Sequence, residues 1–294
     1  MASLLLRRPT ATIPPRAAAR LLSSAASAAL PKKINLNADL AEGFGPWSMT
    51  ADAELMDIVT VRHPHLNHIS STEASPHPRL ILSQSANVAC GGHAGDASIM
   101  AANLALASTR HVSVGSHPGY DDKPGFGRRV IPMTAAEIEE LVAFQTGALL
   151  GVAGLARTRQ PAGEPPVQVT HVKPHGALNN VACVDKSVAA AIARAVLGVD
   201  PSLIMLAPAS SELLYAAEAA GLQTASEVFA DRAYMADGNL APRSMEGSVI
   251  HDPGDFPLIS LTFSPRFSHS PVVFLTLFCH VSHICLISAL SRGD

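Results

Sequence analysis

The stretch VQVTHVKPHGAL, Val167–Leu178, runs from an apolar strand pattern directly into a group of polar residues. Val167–Lys173 has the β-branched character of a strand, and Lys173 and His175 stand two residues apart, on the same face of an extended chain. The same arrangement recurs along the sequence. Short β-branched runs at Ile34–Asp39, Ala86–Cys90, His111–Ser116, Leu203–Ala207 and Ala225–Phe229 alternate with amphipathic stretches at Ala51–Val59, Ala97–Thr109, Ala135–Val152, Ser187–Val196 and Ser211–Ala220. Thr134 followed by Glu137 is a capping-box signature for the third of these helices. About six βα units in series predict a largely parallel sheet, and 294 residues at 48% hydrophobic and 15% charged favour one large α/β domain.

The polar residues gather where strands end: NADLAEG from Asn37, GGHAGD to Asp96, SHPGY to Tyr120 and HVKPHG to Gly176. In a β/α barrel those ends converge on the catalytic face. Asp39, His93, Asp96, His117, Lys173 and His175 are the candidate catalytic residues, and Glu42, Arg128 and Glu227 are candidates for holding substrate. Paired carboxylates such as Asp39 and Glu42 hold a divalent cation or divide acid and base roles, while loop capping is the plainer reading of Asp39 alone. His93 and Asp96 in one Gly-rich turn suit a base with an orienting carboxylate, although Asp96 equally suits the N-cap of the helix that follows. His117 precedes Pro118, which ends the strand there. Lys173 can bind an oxyanion while His175 moves a proton. Arg128 suits a bidentate carboxylate or phosphate contact, and an exposed loop arginine is the alternative. Asp39, His93 and His117 together form a candidate metal set, of undetermined metal. Downstream, Asp231, Arg232, Tyr234, Asp237 and Arg243 read as salt-bridging loop residues.

A net charge of -3 provides no basic face and excludes nucleic acid as the favoured partner. Cys90, Cys183, Cys279 and Cys285 lack CxxC spacing, which argues against structural zinc and against a disulfide framework. Cys90 reads as a small buried strand residue, with a nucleophilic role as the alternative. Residues 1–33 carry Arg7, Arg8, Arg16, Arg20, Lys32 and Lys33 among Ala, Ser and Leu with no acidic residue. That pattern suits a mitochondrial or plastid transit peptide, against a disordered leader on a cytoplasmic protein.

Two stretches break the βα rhythm. Val61–Gln84, rich in His, Pro and Ser, is far longer than the usual βα connection. A retained intron, a lineage-specific loop, and a metal-binding loop using His63, His65, His68 and His77 are the three readings, in that order of preference. Beyond Pro253, residues 254–294 form an atypical tail, within which Pro271–Leu290 is long and apolar enough to span a bilayer. His280, Ser282 and His283 near its middle disfavour a membrane anchor, and an altered 3′ end is preferred.

NLNADLAEGFGPW, SANVACGGHAGD, VGSHPGYDDKPGFGRR, HVKPHGAL and EVFADRAYMADGNLAPRS, in that order, resemble the successive signatures of the 5-oxoprolinase A-subunit (lactam-utilisation protein) family across residues 34–253. The resemblance implies a distorted, TIM-like (β/α)7 barrel related to metal-dependent carbohydrate deacetylases. It also implies ATP-dependent opening of the 5-oxo-L-proline lactam to L-glutamate, in a complex with two other subunits. No GxxxxGK[ST] loop is present, so ATP would sit at an unconventional site or on a partner. The family's closing strand and its His-Gly-Asp signature are not found after Pro253, which predicts a barrel incomplete at the C-terminus with an exposed sheet edge. Two alternatives accompany this reading: a metal-dependent deacetylase or amidohydrolase, and an inactive chain that binds the partner subunits.

Overall fold

The structure is a computed structural model. It describes residues 33–45, 47, 51–60, 81–160, 166–229, 232–235, 240–241, 245–250 and 272–277. The leader, the histidines of the 61–80 segment, Asp231, Asp237, Arg243, Cys279, Cys285 and the rest of the tail lie outside the described residues.

Among the described residues, seven strands close into one barrel, and every neighbouring pair is parallel. In chain order they are β1 (Lys33–Leu40), β2 (Ile81–Ala89), β3 (Ser113–His117), β4 (Val169–Val172), β5 (Ile204–Pro208), β6 (Thr224–Phe229) and β7 (Val272–Leu277). The helices are α1 (Asp52–Thr60), α2 (Ala97–Arg110), α3 (Ala135–Arg159), α4 (Gly176–Ala182), α5 (Lys186–Val199) and α6 (Glu212–Ala219). All six strands and five helices expected from the sequence are present, with ends shifted by a few residues; α3 runs seven residues further than expected, to Arg159. The capping box at its start is formed. Thr134 Oγ1 accepts from the Glu137 amide at 3.3 Å, and Glu137 Oε2 accepts from the Thr134 amide at 2.7 Å.

Two expectations are corrected. The barrel has no open edge between β6 and β1, because Val272–Leu277 pairs with both, Phe229 to Thr276 and Lys33 to Val272. Its sequence, VVFLTL, is β-branched and aromatic, so the tail supplies a strand without the expected signature. Strand β2 begins at Ile81, inside the stretch expected to be inserted, and Ile81–Gln84 is in register with Lys33–Leu36. The anomalous segment is therefore shorter than the expected 61–84, because an extended partner on β1 carries the ladder back to Ile81.

The apolar core lies between the sheet and the helices. Leu40, Met56, Val88, Leu104, Val114 and Leu149 pack on one side, and Ile138, Val142, Val172, Ile192, Met205 and Leu213 on the other. α3 is long and apolar enough to cross a bilayer, but its Ile138, Val142, Leu149 and Ala153 are used in this core. The inner face of the sheet is different: Asn35, Asn37, Ser85, Asn87 and His171 are buried and bonded to one another. They form a polar ladder leading towards the strand ends.

Candidate active site

Each of these strand ends contributes side chains to one buried centre. Asp39 is near the end of β1 with Glu42 just beyond, His93 follows β2, His117 ends β3, Lys173 and His175 follow β4, and Glu227 lies on β6. The glycines in the connecting motifs let these loops close over the rings. Gly127, at φ +59°, lies where a Cβ would stand 2.7 Å from His93 Cβ and 2.9 Å from His175 Cδ2, so no larger residue fits without moving them.

The three histidines are packed ring against ring. His93 and His175 stack with centroids 3.6 Å apart and planes 4° apart, and His117 meets both edge-on. His117 Nδ1 lies 2.7 Å from the Lys173 carbonyl and His175 Nε2 lies 3.0 Å from the Phe126 carbonyl. A carbonyl only accepts, so both outer nitrogens carry hydrogen. The inner nitrogens, His117 Nε2 and His175 Nδ1, then point lone pairs at each other across 3.0 Å. Around them stand Glu42 Oε1, 3.4 Å from His93 Nε2, 3.4 Å from His175 Nδ1 and 3.9 Å from His117 Nε2, and Asp39 Oδ2, 3.5 Å from His117 Nε2. A metal ion among these atoms, or the hydrogen of a protonated Glu42 carboxyl, satisfies that arrangement.

Glu42, His93, His117 and His175 offer ligand atoms that all lie within 4.8 Å of one another. Two ligands on a tetrahedral ion at about 2.1 Å stand roughly 3.4 Å apart, close to the separations found here. Glu42 Oε1, Asp39 Oδ2 and both nitrogens of His93 are buried without a hydrogen-bond partner, a costly state that a bound ion relieves. The residues therefore fit a divalent metal of the nitrogen-and-oxygen type.

Burial, together with the charges of the neighbouring rings, holds His93 and His175 well below the usual histidine range. Burial, with Asp39 beside it, pushes Glu42 up to about 8. Burial also opposes the charge on Asp39, but His117 and Lys173 outweigh it and keep its carboxyl well below the usual range. Lys173 faces desolvation too, and Asp39 and Glu227 more than offset it. Its Nζ donates to Asp39 Oδ1 at 2.9 Å and to Glu227 Oε1 at 2.8 Å. The result is a fixed ammonium between two carboxylates, beside the neutral rings of His93 and His175.

Of the expected site residues, Asp39, Glu42, His93, His117, Lys173, His175 and Glu227 are brought together. Arg128 is exposed at the rim, 5.9 Å above the Phe126 ring, and lines a small cleft with Asp39, His117, Lys173, His175 and Asn179. Asp96 is not part of the cluster. Its Oδ1 accepts from the Ser98 and Ile99 amides at 2.9 Å and its Oδ2 from Gly45 at 3.3 Å, so it caps α2 and ties the 43–45 loop to that helix. Arg232 donates to the carbonyls of Ser248 and Ala241. Cys90 is a core thiol, pushed up to about 11 by burial, with its sulfur 2.9 Å from the Val88 carbonyl. The expected metal set of Asp39, His93 and His117 shares only its two histidines with the group found, in which Glu42 and His175 complete the ligands. Sequence reading missed Asn37, Asn87 and His171. Their signal was polar residues at alternate positions of β1, β2 and β4, a period-two polar face inside a barrel.

A parallel β/α barrel with buried histidines, carboxylates and a lysine at the C-terminal ends of its strands has its polar centre on the face where β/α-barrel enzymes place their active sites. The LamB/YcsF family matches residues 34–62 and 79–257, and the chain belongs to that family. The break in the match falls within the segment expected to be inserted. The 5-oxoprolinase A-subunit of Rhodopseudomonas palustris is 50% identical over 224 residues, 76% of this chain and 75% of the relative. That of Nitrobacter winogradskyi is 47% identical over 220 residues, 74% of this chain and 73% of the relative. The crystal structure of the lactam utilization protein from Thermus thermophilus superposes with a TM-score of 0.66 at 32% identity, covering 84% of this chain and 90% of that one.

Proposed function

We propose that this chain is the barrel subunit of a multi-subunit 5-oxoprolinase, which hydrolyses the amide bond of 5-oxo-L-proline to give L-glutamate with concomitant hydrolysis of ATP. The observation that carries the reading is the meeting of Asp39, Glu42, His93, His117, Lys173 and His175 in one buried centre. The names of the relatives supply the lactam and the assembly from several subunits.

A five-membered lactam is a stable amide, so opening it requires a polarised carbonyl, an activated water and a proton for the leaving nitrogen. Lys173, held charged by Asp39 and Glu227, stabilises negative charge developing on the lactam oxygen. Asp39 Oδ2, the ionised carboxylate, takes a proton from a water that Glu42 helps to orient, and in the metal-free centre the His117–His175 pair passes a proton to the departing nitrogen. Arg128 at the rim meets the substrate carboxylate. Glu42, His93, His117 and His175 would hold a divalent metal, which polarises a bound oxygen and lowers the pKa of water. ATP would supply the driving force by transferring its γ-phosphoryl group to the lactam oxygen with release of ADP, at a site shared with or held by one of the partner subunits. One water then adds to the carbon bearing that oxygen, the C–N bond breaks to leave an acyl phosphate, and a second water releases inorganic phosphate and L-glutamate.

The test is reconstitution with the partner subunits and measurement of glutamate and ADP. Equimolar glutamate and ADP, lost in His93→Ala and His175→Ala, is the expected result; unimpaired turnover in both variants overturns the assignment. A second reading, metal-dependent amidohydrolase, is favoured by the four-ligand group. It predicts ATP-independent turnover that follows metal content. For location we propose a mitochondrion, from the Arg-rich, acid-free leader; a reporter fused to Met1–Lys33 that stays cytosolic overturns that.

A further inference from the structure

We propose that Asn87 and His171 are positioning residues for Asp39: they fix one carboxylate oxygen so that the other faces His117. The proposal rests on the reading above that Asp39 acts in the centre.

Asp39 divides its two oxygens. Oδ1 accepts from Asn87 Nδ2 at 2.7 Å and from Lys173 Nζ at 2.9 Å, while Oδ2 is left without a hydrogen bond, 3.5 Å from His117 Nε2. The split depends on which end of the Asn87 amide points at Asp39. An ionised carboxylate only accepts, so the NH2 end must face it, and the oxygen end must be satisfied elsewhere. His171 Nε2 lies 2.9 Å from Asn87 Oδ1 and serves as that donor. Its Nδ1 is then a lone pair that the Thr170 hydroxyl reaches at 3.0 Å, nearer than the Val114 carbonyl at 3.4 Å, the hydroxyl's other acceptor. Burial drives His171 down to about 3, so the ring remains in this neutral, single-donor form.

Asn37 reinforces the same polarity. It accepts from Asn87 Nδ2, and its own amide donates to Ser85 Oγ at 2.7 Å and to Asn87 Oδ1 at 3.3 Å. Ser85 in turn donates to Asn35 Oδ1 at 2.6 Å. The barrel makes room for the ring at one place: Gly115 pairs with His171 where the β3–β4 register shifts, and a Cβ on Gly115 would overlap the imidazole. A bulge, a missing side chain and a directional chain from Thr170 to Asp39 therefore serve one carboxylate. None of these residues reaches the cleft lined by Asp39, Lys173 and Arg128, so they act through Asp39 and not on substrate.

The experiment compares Asn87→Leu, His171→Leu and His171→Gln with wild type in the reconstituted complex, together with crystal structures of the barrel subunit. Gln places an amide NH2 close to where Nε2–H stood, so His171→Gln restores the donor and Leu does not. The expected outcome is a kcat roughly 10- to 100-fold lower for Asn87→Leu and His171→Leu, with KM little changed and His171→Gln near wild type. In the two Leu variants the Asp39 carboxylate rotates, turning Oδ2 away from His117. Equal kcat for His171→Leu and His171→Gln overturns the proposal, as does an Asp39 carboxylate that keeps its orientation in the Leu variants. If Asn87→Leu does not fold, the His171 pair decides alone. If wild type opens no lactam, the proposed function fails, and the orientation of Asp39 in the His171→Leu structure still decides this inference.

Discussion

His117 Nε2 faces His175 Nδ1 across 3.0 Å, while the outer nitrogen of each ring is tied to a main-chain carbonyl. Two inward lone pairs, with Glu42 and Asp39 alongside, make the centre a cation trap. A divalent metal that binds the folded form alone, at a hundredfold excess over its Kd, raises stability by about 2.7 kcal/mol, or roughly 5 to 10 °C in Tm. Thermal melts with zinc, manganese and magnesium, reversed by chelator, measure this directly. Glu42→Gln and His93→Ala should lose most of the shift. A wild-type melt indifferent to all three metals overturns the metal reading of the centre.

Lys173 is the second pivot, because two buried carboxylates depend on it. Lys173→Met leaves Asp39 and Glu227 without their cation and should cost about 3–5 kcal/mol in chemical denaturation. Adding Glu227→Gln to that variant removes one stranded charge and should recover part of the loss, while turnover stays absent. Equal stability of the single and double variants would mean that Glu227 does not need the lysine.

Much of this is legible in the sequence, for a physical reason. Strands β1 to β6 announce themselves by β-branched runs, and the motifs at their ends contain the residues that meet. What the pattern does not reveal are contacts set by the closed barrel. Asn87 looks like one polar residue in a buried strand until β1 and β4 bring Asn37, Asp39 and His171 against it. Glu42 reads as a substrate contact or as the partner of Asp39 at a cation, because nothing local says that its carboxylate returns to three histidines. Asp96 reads both ways, since an N-cap and an orienting carboxylate have the same local signature. Strand β7 is hidden because the apolar tail carries no polar strand-end motif and reads as an altered 3′ end, with a bilayer span as the lesser alternative.

The titrating groups give the metal-free protein a stability maximum near pH 6.5. His93, His171 and His175 are all held below the ordinary 6.5 by burial, so below that pH the unfolded chain binds protons that the folded one refuses. Their contribution is fully present above 6.5 and is lost as pH falls. Glu42, raised from 4.5 to about 8, has the opposite sign: the folded state binds the extra proton, and stability declines as pH rises from 4.5 to 8. Of these four groups, three outweigh one below 6.5, and above it Glu42 is the one still titrating. Melts of metal-free protein from pH 4.5 to 8.5 should fall steeply on the acid side and gently on the alkaline side; a Tm that rises on acidification from 6.5 to 5 contradicts the neutral, buried state of the rings.

Asp96 and His93 share one six-residue motif and do different work. Asp96 holds two helix amides and the Gly45 amide, whereas His93 is sealed in the centre with Glu42 and His175. Asp96→Ala should therefore cost about 1 kcal/mol by loss of the cap, and Asp96→Asn, which caps equally well, much less. Turnover per folded molecule should follow neither change. His93→Ala should do the reverse, lowering turnover by about a hundredfold or more, because a group at the reacting centre typically contributes that much. The comparison needs only melts and kcat for the three variants. If Asp96→Asn loses turnover as His93→Ala does, Asp96 belongs to the chemistry, and the 43–45 loop it anchors must carry a catalytic group into the centre.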